Sequence, residues 1–407
     1  MREWTEHVIW WHVYPLGFVG ADTTGADRTP THDLRRLEGW LDDLIALGAN
    51  GLLLGPVFAS STHGYDTIDY FRVDERLGDE ADLDSLLTAA HDHGVRVLLD
   101  GVFNHVGRDF VDPSLVREGG TFEGHDALVE LDHDAPAVAD LVADVMIHWL
   151  DRGADGWRLD AAYAVPTAFW ARVLPRVREA HPDAYIVGEV LHGDYAAIVT
   201  ESGMDAVTQY ELWQSTWHAI AERNLFELDW TLTRHNDLLD VFVPYTFVGN
   251  HDVTRLATQI ADERHRAHAL ALLFTLGGTP SVYYGDERGL EGLKEERVGG
   301  DDAIRPEFPA DPADLAEGRD VFALHQELIG VRRRHPWLHA ARSRTLALTN
   351  ESLVLEVRSG DDRLVVALNL DDVPLDLSGI EGADATELLA GSIDGRRVPP
   401  HGWAILG

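Results

Sequence analysis

The 407-residue chain contains no cysteine, only three methionines, and a single lysine, Lys294, among its 33 basic residues. Without thiols, disulfides and thiolate metal sites are both excluded, while the redox compartment stays open. The opening residues, MREWTEHVIWWHVYPLGF, lack a basic segment followed by a long apolar stretch and a small-residue cleavage site. They do not read as a secretory signal, so a cytoplasmic location is the expectation. Positive charge is also scarce: 33 basic against 70 acidic residues leave a formal net charge of −37. Such a surface repels nucleic acid and anionic lipid and argues against both as partners. Two origins fit the shortage of lysine: a high-GC genome that favours arginine codons, or adaptation to high salt, where screening relieves self-repulsion.

What is present points to a folded, sugar-compatible protein. The chain is 45% hydrophobic and 25% charged, with 12 Trp. That is enough apolar material for a core and for aromatic platforms on which sugar rings stack. The length favours one large barrel-type domain plus a smaller one.

Eight short aliphatic or β-branched runs, at 8–16, 50–58, 95–103, 156–162, 185–190, 206–210, 245–250 and 281–285, alternate with longer amphipathic stretches. This is the pattern of βα units feeding a parallel sheet, and it predicts an α/β fold with a (β/α)8 TIM barrel over 1–337. Helical patterns at 83–94, 138–153 and 264–278 end at glycines suited to helix C-caps. After a helix-like stretch at 321–334 the pattern becomes alternating over 346–370, with NES and GDD as turn signals. A small C-terminal antiparallel β-sandwich is expected over 338–407.

In such a barrel the active site forms at the C-terminal ends of the strands, so polar residues that close an apolar run are the informative ones. The third run leads to Asp100, Asn104 and His105, the fourth to Arg158 and Asp160, the fifth to Glu189, and the seventh to His251 and Asp252. One charged residue at a strand end is ordinarily a solvated loop residue. Packing alone, however, has no use for four carboxylates, two histidines and an arginine converging on one crater. Arg158 lies two residues before Asp160 and therefore on the same strand face, which favours an ionised Asp160. Glu189 follows an apolar IVG with no adjacent cation, a setting that keeps a carboxyl protonated. The pair then divides into nucleophile and acid; double displacement by such a pair retains anomeric configuration, whereas an inverting enzyme needs the two carboxyls farther apart, a distance the sequence does not give. His12, His91, His93 and His181 belong to no such constellation.

These residues resemble the α-amylase superfamily of retaining α-glycoside hydrolases over nearly the whole chain. DGVFNH (100–105), GWRLD (156–160), GEV (188–190) and FVGNHD (247–252) are similar to its four main sequence regions, in order; 51–70, 130–133 and 278–292 add flanking matches. The resemblance implies Asp160 as nucleophile, Glu189 as acid/base and Asp252 as transition-state stabiliser. It implies Tyr65 as an aromatic platform, and His105, Arg158 and His251 as a polar clamp around the sugar. Asp66 and Arg305 resemble a pair that closes a pocket around the non-reducing end in the family's exo-acting α-glucosidases.

The departures matter equally. The excursion after the third strand is only about 30 residues (106–135), a family B domain reduced to a long loop. DAAYAVP (160–166) lacks the His or Lys found in calcium-binding members, and Asn104 alone is a poor cage for an ion taking roughly six to eight oxygen ligands. No required metal or other cofactor is expected. The predicted activity is retaining hydrolysis of α-glucosidic bonds in malto-oligosaccharides or related short α-glucans. Transfer to another acceptor through the same intermediate is the alternative, and a non-catalytic carbohydrate-binding protein the remote one.

Overall fold

The apolar runs become strands buried on both faces, the condition for a parallel sheet covered by helices. In the computed structural model, which describes residues 3–297, 299–315 and 317–407, these are β1 (Trp10–Val13), β2 (Gly51–Leu54), β3 (Arg96–Gly101), β4 (Gly156–Leu159), β5 (Tyr185–Gly188), β6 (Ala206–Val207), β7 (Tyr245–Phe247) and β8 (Thr279–Tyr283). Each is parallel to its neighbours in the order β6-β5-β4-β3-β2-β1-β8-β7. A parallel bridge between Thr208 and Tyr245 joins the two ends and closes the barrel.

Helices form the outer ring: α1 (Leu41–Leu47), α2 (Glu80–Asp92), α3 (Pro136–Asp151), α4 (Thr167–Ala180), α5 (Tyr195–Ser202), the antiparallel pair α6 (Tyr210–Ala221) and α7 (Leu225–Leu238), α8 (Glu263–Thr275) and α9 (Arg319–Arg334). Local chemistry sets their ends. Asp79 and Asp82 form a reciprocal capping box that starts α2. The stretch at 264–278 behaves differently from expectation, since α8 stops at Thr275 and its cap, Leu276, is extended rather than left-handed. Gly277 serves close approach instead: a Cβ there would meet the Ala341 carbonyl oxygen at 2.3 Å.

The excursion at 106–135 is more ordered than a loop. His105–Gly107, Leu128–Leu131 and Val116–Thr121 pair as a three-stranded antiparallel sheet, with His105 opposite Glu130. The C-terminal part is an antiparallel sheet of β9 (Arg342–Leu348), β10 (Ser352–Ser359), β11 (Asp362–Asn369), β12 (Leu388–Gly391) and β13 (Trp403–Leu406), ordered β9-β10-β11-β13-β12. Strand alternation divides its apolar residues between two cores. Leu353, Leu355 and Val357 join the barrel's core, while Val354, Val365 and Leu406 pack on a second cluster with Leu377 and Val398. Among the described residues no helix is long and apolar enough to cross a membrane.

Candidate active site

The strand tips of β3, β4 and β5 bring three carboxylates around one guanidinium. Side chains two apart on a strand share a face, so Arg158 and the residue just past β4, Asp160, both point inward, and the β3 register sets Asp100 opposite Arg158. Arg158 Nη1 donates to Asp100 Oδ1 and Oδ2 at 2.8 and 2.6 Å and to Asp160 Oδ1 at 3.2 Å. Its Nη2 lies 2.7 Å from Glu189 Oε1. All four residues are buried.

This geometry corrects two expectations. Arg158 is not reserved for Asp160, and Glu189 does have a cation beside it. With one guanidinium spread over three acids, burial and the facing Glu189 carboxylate push the Asp160 carboxyl well above the usual carboxylate range. Two further donors reach Glu189: the Tyr210 hydroxyl at 3.0 Å and the Ala161 backbone N–H at 3.1 Å. Ala161 stands in the left-handed region (φ 44°, ψ 38°), a strained conformation for a residue with a Cβ. The strain sits directly after Asp160 and aims a backbone donor at the second carboxylate.

Across the cleft, Asp252 follows β7. Desolvation opposes its ionisation, but His251 and Arg305 outweigh that and hold its carboxyl well below the usual range. His251 Nε2 lies 3.0 Å from Asp252 Oδ2, and Arg305 Nη2 donates to Oδ1 at 2.9 Å. Arg305 is itself braced: its Nε donates to the His251 carbonyl at 2.9 Å, and Nη2 lies 3.0 Å from Asp301. The neighbouring Ile304 carbonyl accepts from Arg255 and from the Tyr283 hydroxyl, and Arg255 pairs with buried Asp286 at 2.8 Å. Asp286 also explains the glycine of FVGNHD, because a Cβ on Gly249 would meet its Oδ2 at 2.1 Å.

Tyr65 bridges the two walls. Its hydroxyl donates to Asp100 at 3.1 Å and is hydrogen-bonded to His251, which leaves the ring as a side of the cleft. His105 accepts from Asn104 at Nδ1 (3.1 Å) and donates from Nε2 to the Tyr65 carbonyl (3.0 Å). Burial lowers the ring's pKa to about 4 and keeps it neutral. The excursion stacks Phe122 on His105 at 4.5 Å and reaches across to Tyr163, whose hydroxyl donates to Glu123 at 2.8 Å. The resulting cleft has a volume of about 1540 Å³ and includes Asp160, Glu189 and Asp252 in its lining.

Asp66 does not join this set. Its carboxylate accepts from the Thr62 backbone N–H and hydroxyl at 3.0 and 2.6 Å and is absent from the cleft lining, so the expected Asp66–Arg305 pair is replaced by Asp252–Arg305 and Asp301–Arg305. His12, set aside on sequence grounds, lies beneath the site with its ring edge-on to His251 at 4.9 Å. Tyr210 was also missed, although it closes the sixth apolar run and the strand-end rule would have singled it out. His91, His93 and His181 make local contacts with Asp155, the Ala89 carbonyl and Asp151.

The residues present do not fit a calcium cage near His105. Calcium takes about six to eight oxygens, whereas the segment after Asp160 presents Ala161, Ala162 and Tyr163, with no carboxylate, beside the single side-chain oxygen of Asn104. One group with metal-like spacing among the described residues, His32, Asp79 and Asp82, lies away from the cleft, where Asp82 already pairs with Arg35 at 2.5 Å and caps α2.

A closed barrel whose strand tips gather acidic side chains around a buried arginine, under an aromatic-walled cleft, defines a sugar-processing hydrolase. The catalytic-domain model of α-amylase matches residues 12–115 and 121–351, and the chain belongs to the α-amylase family of glycoside hydrolases. It is 32% identical over 421 residues to a cyclomaltodextrinase from a Bacillus species, covering 90% of this chain and 73% of that protein. Neopullulanase 2 of Thermoactinomyces vulgaris is 29% identical over 381 residues, covering 82% of this chain and 63% of the relative. Among solved structures, the cyclic α-maltosyl-(1→6)-maltose hydrolase of Arthrobacter globiformis, in complex with cyclic α-maltosyl-(1→6)-maltose, superposes with a TM-score of 0.84 at 25% identity, over 100% of this chain and 99% of that one.

Proposed function

We propose that the protein hydrolyses α-glucosidic bonds of short α-glucans by double displacement, with Asp160 as nucleophile, Glu189 as general acid and base, and Asp252 as the carboxylate that steadies the oxocarbenium-like transition state. The observation that carries this is the single Arg158 guanidinium spanning Asp160 and Glu189 while Asp252, held ionised by its own cations, faces the same cleft.

Burial and the facing Glu189 carboxylate push the Asp160 carboxyl up, so its anion is the form that a substrate must favour. Positive charge developing at an anomeric carbon beside Asp160 favours its anion and leaves the proton to Glu189, within reach of the glycosidic oxygen. Asp160 then forms the bond to the anomeric carbon as Glu189 protonates the departing sugar. Glu189, now ionised, takes a proton from the water that releases the glycosyl group. Tyr65 offers its ring face to the sugar, and His105, neutral and fixed by Asn104, contributes a rigid wall.

The relatives named for cyclodextrin and for cyclic maltosyl-maltose support a substrate built from a few α-linked glucose units. Product analysis on maltotriose, cyclodextrin and soluble starch, with and without an added acceptor sugar, separates hydrolysis from transfer. Following the anomeric proton by NMR should show retention. Asp160→Asn should lower kcat by on the order of 10⁴-fold with the fold intact; turnover near the wild-type rate would end this assignment.

A further inference from the structure

Helix α7 carries a row of side chains at i, i+4, i+8 and i+12: Phe226, Trp230, Arg234 and Leu238. Residues so spaced form one ridge along a helix. Arg234 and Leu238 line the catalytic cleft. Phe226 and Trp230 continue the same ridge in steps of about 6 Å and are 51% and 68% exposed. A wall of the cleft thus runs out onto the surface as two aromatic rings.

The second ring is held ready for a ligand. The Arg234 guanidinium lies 5.3 Å from the centroid of Trp230. Arg234 is in turn fixed by Glu211, another cleft residue, which its Nε contacts at 2.7 Å. One face of the indole is therefore backed by an anchored cation, and ordering the ring on binding costs little entropy.

We propose that Trp230, with Phe226, is an external stacking platform for the part of an α-glucan chain that protrudes from the cleft. Axial C–H faces of a pyranose suit an aromatic face, and an uncharged polysaccharide meets no penalty on a surface of net charge −37. A second copy of the chain would carry the same charge and be repelled. The proposal rests on the hydrolase reading above and adds where a longer substrate is held.

The test uses the purified full chain and its Trp230→Ala and Phe226→Ala variants, two exposed positions, with Val373→Ser, exposed on the C-terminal part, as control. Electrophoresis through native gels with and without soluble amylose reads binding, and kcat/KM on amylose and maltotriose reads selectivity. We expect the wild type to be retarded by amylose and Trp230→Ala to bind it about fivefold to tenfold more weakly, with a smaller loss for Phe226→Ala and none for the control. The amylose-to-maltotriose ratio of kcat/KM should fall by a similar factor in Trp230→Ala, through KM. Equal retardation of Trp230→Ala and wild type overturns the platform. So does a wild-type dimer, seen by sedimentation, that Trp230→Ala dissolves without altering retardation. If the wild type cleaves no α-glucoside, the hydrolase reading fails separately, and the retardation of Trp230→Ala against wild type still decides the platform.

Discussion

The two walls of the cleft treat their carboxylates in opposite ways. On the β3–β5 side, Asp100, Asp160 and Glu189 share one guanidinium, and Asp160 is pushed up. On the β7–β8 side, Asp252 meets two partners, His251 and an Arg305 that it shares with Asp301, and is pulled down. Burial raises both carboxyls, Asp160 at 9% exposure more than Asp252 at 31%, so burial alone would not pull Asp252 below the usual range. The ratio of cations to acids does, and it suits one wall to exchanging a proton and the other to holding a fixed negative charge.

Removing the shared cation should have the largest effect. Arg158→Leu leaves three buried acids uncompensated, and we expect a loss of about 3–5 kcal/mol in chemical denaturation together with abolished turnover. Unchanged stability would mean that the three acids are not held by Arg158.

Glu287, in the turn after β8, extends the comparison to a carboxyl with almost no cation. It is completely buried, its nearest guanidinium nitrogen is 4.0 Å away, and burial pushes its pKa from 4.5 to about 7. Because the folded pKa lies above the unfolded one, the stabilisation belongs to the protonated form. It is complete below about pH 4.5 and is lost as pH rises through 7. Glu287→Gln, which mimics that form, should gain nothing near pH 4.5 and about 3 kcal/mol above pH 8, read from denaturation curves at each pH. A gain independent of pH would refute the account.

Taking one cation from Asp252 should bring the two walls closer together. In Arg305→Gln, Asp252 loses the contact at 2.9 Å and titrates nearer to an ordinary carboxyl. Activity then fails at a higher pH on the acid side than in the wild type, and kcat/KM at neutral pH drops by about tenfold to a hundredfold. An acid limb that does not move would show that Asp252 owes its low pKa to His251.

Much of this was legible in the residues. The eight apolar runs became the eight barrel strands, since continuous hydrophobicity is what burial on both faces demands. Asp100, Arg158, Asp160, Glu189 and Asp252 were readable as one constellation because strand ends point into one crater. Partner choice was not readable. Sequence adjacency suggested that Arg158 serves Asp160, whereas cross-strand register gives it equally to Asp100 and Glu189. Asp66 shows the reverse case, since it accepts from Thr62 only four residues away while Arg305 turns to Asp252 and Asp301. The small sheet in 106–135 was hidden because its strands are short and half exposed, so the alternation that marks a strand is weak.

The smallest effect expected is none. Calcium would have to be held where the excursion meets the barrel, at Asn104 and the residues after Asp160. There the Asn104 side-chain N–H fixes the His105 tautomer, the Asn104 backbone carbonyl accepts from Leu131 N–H at 3.1 Å, the Ala161 backbone N–H faces Glu189, and the residues just after Asp160 add no carboxylate. Tyr163 closes the gap instead, by its hydrogen bond to Glu123. We propose that this direct protein contact serves in place of an ion bridge between excursion and barrel. Dialysis against a chelator should therefore change neither maltotriose turnover nor the melting temperature by more than about 2 °C, whereas Glu123→Ala, which cuts the direct contact, should lower the melting temperature more than the chelator does. Activity lost to the chelator and restored by calcium would reverse this reading and place an ion where the excursion meets the barrel.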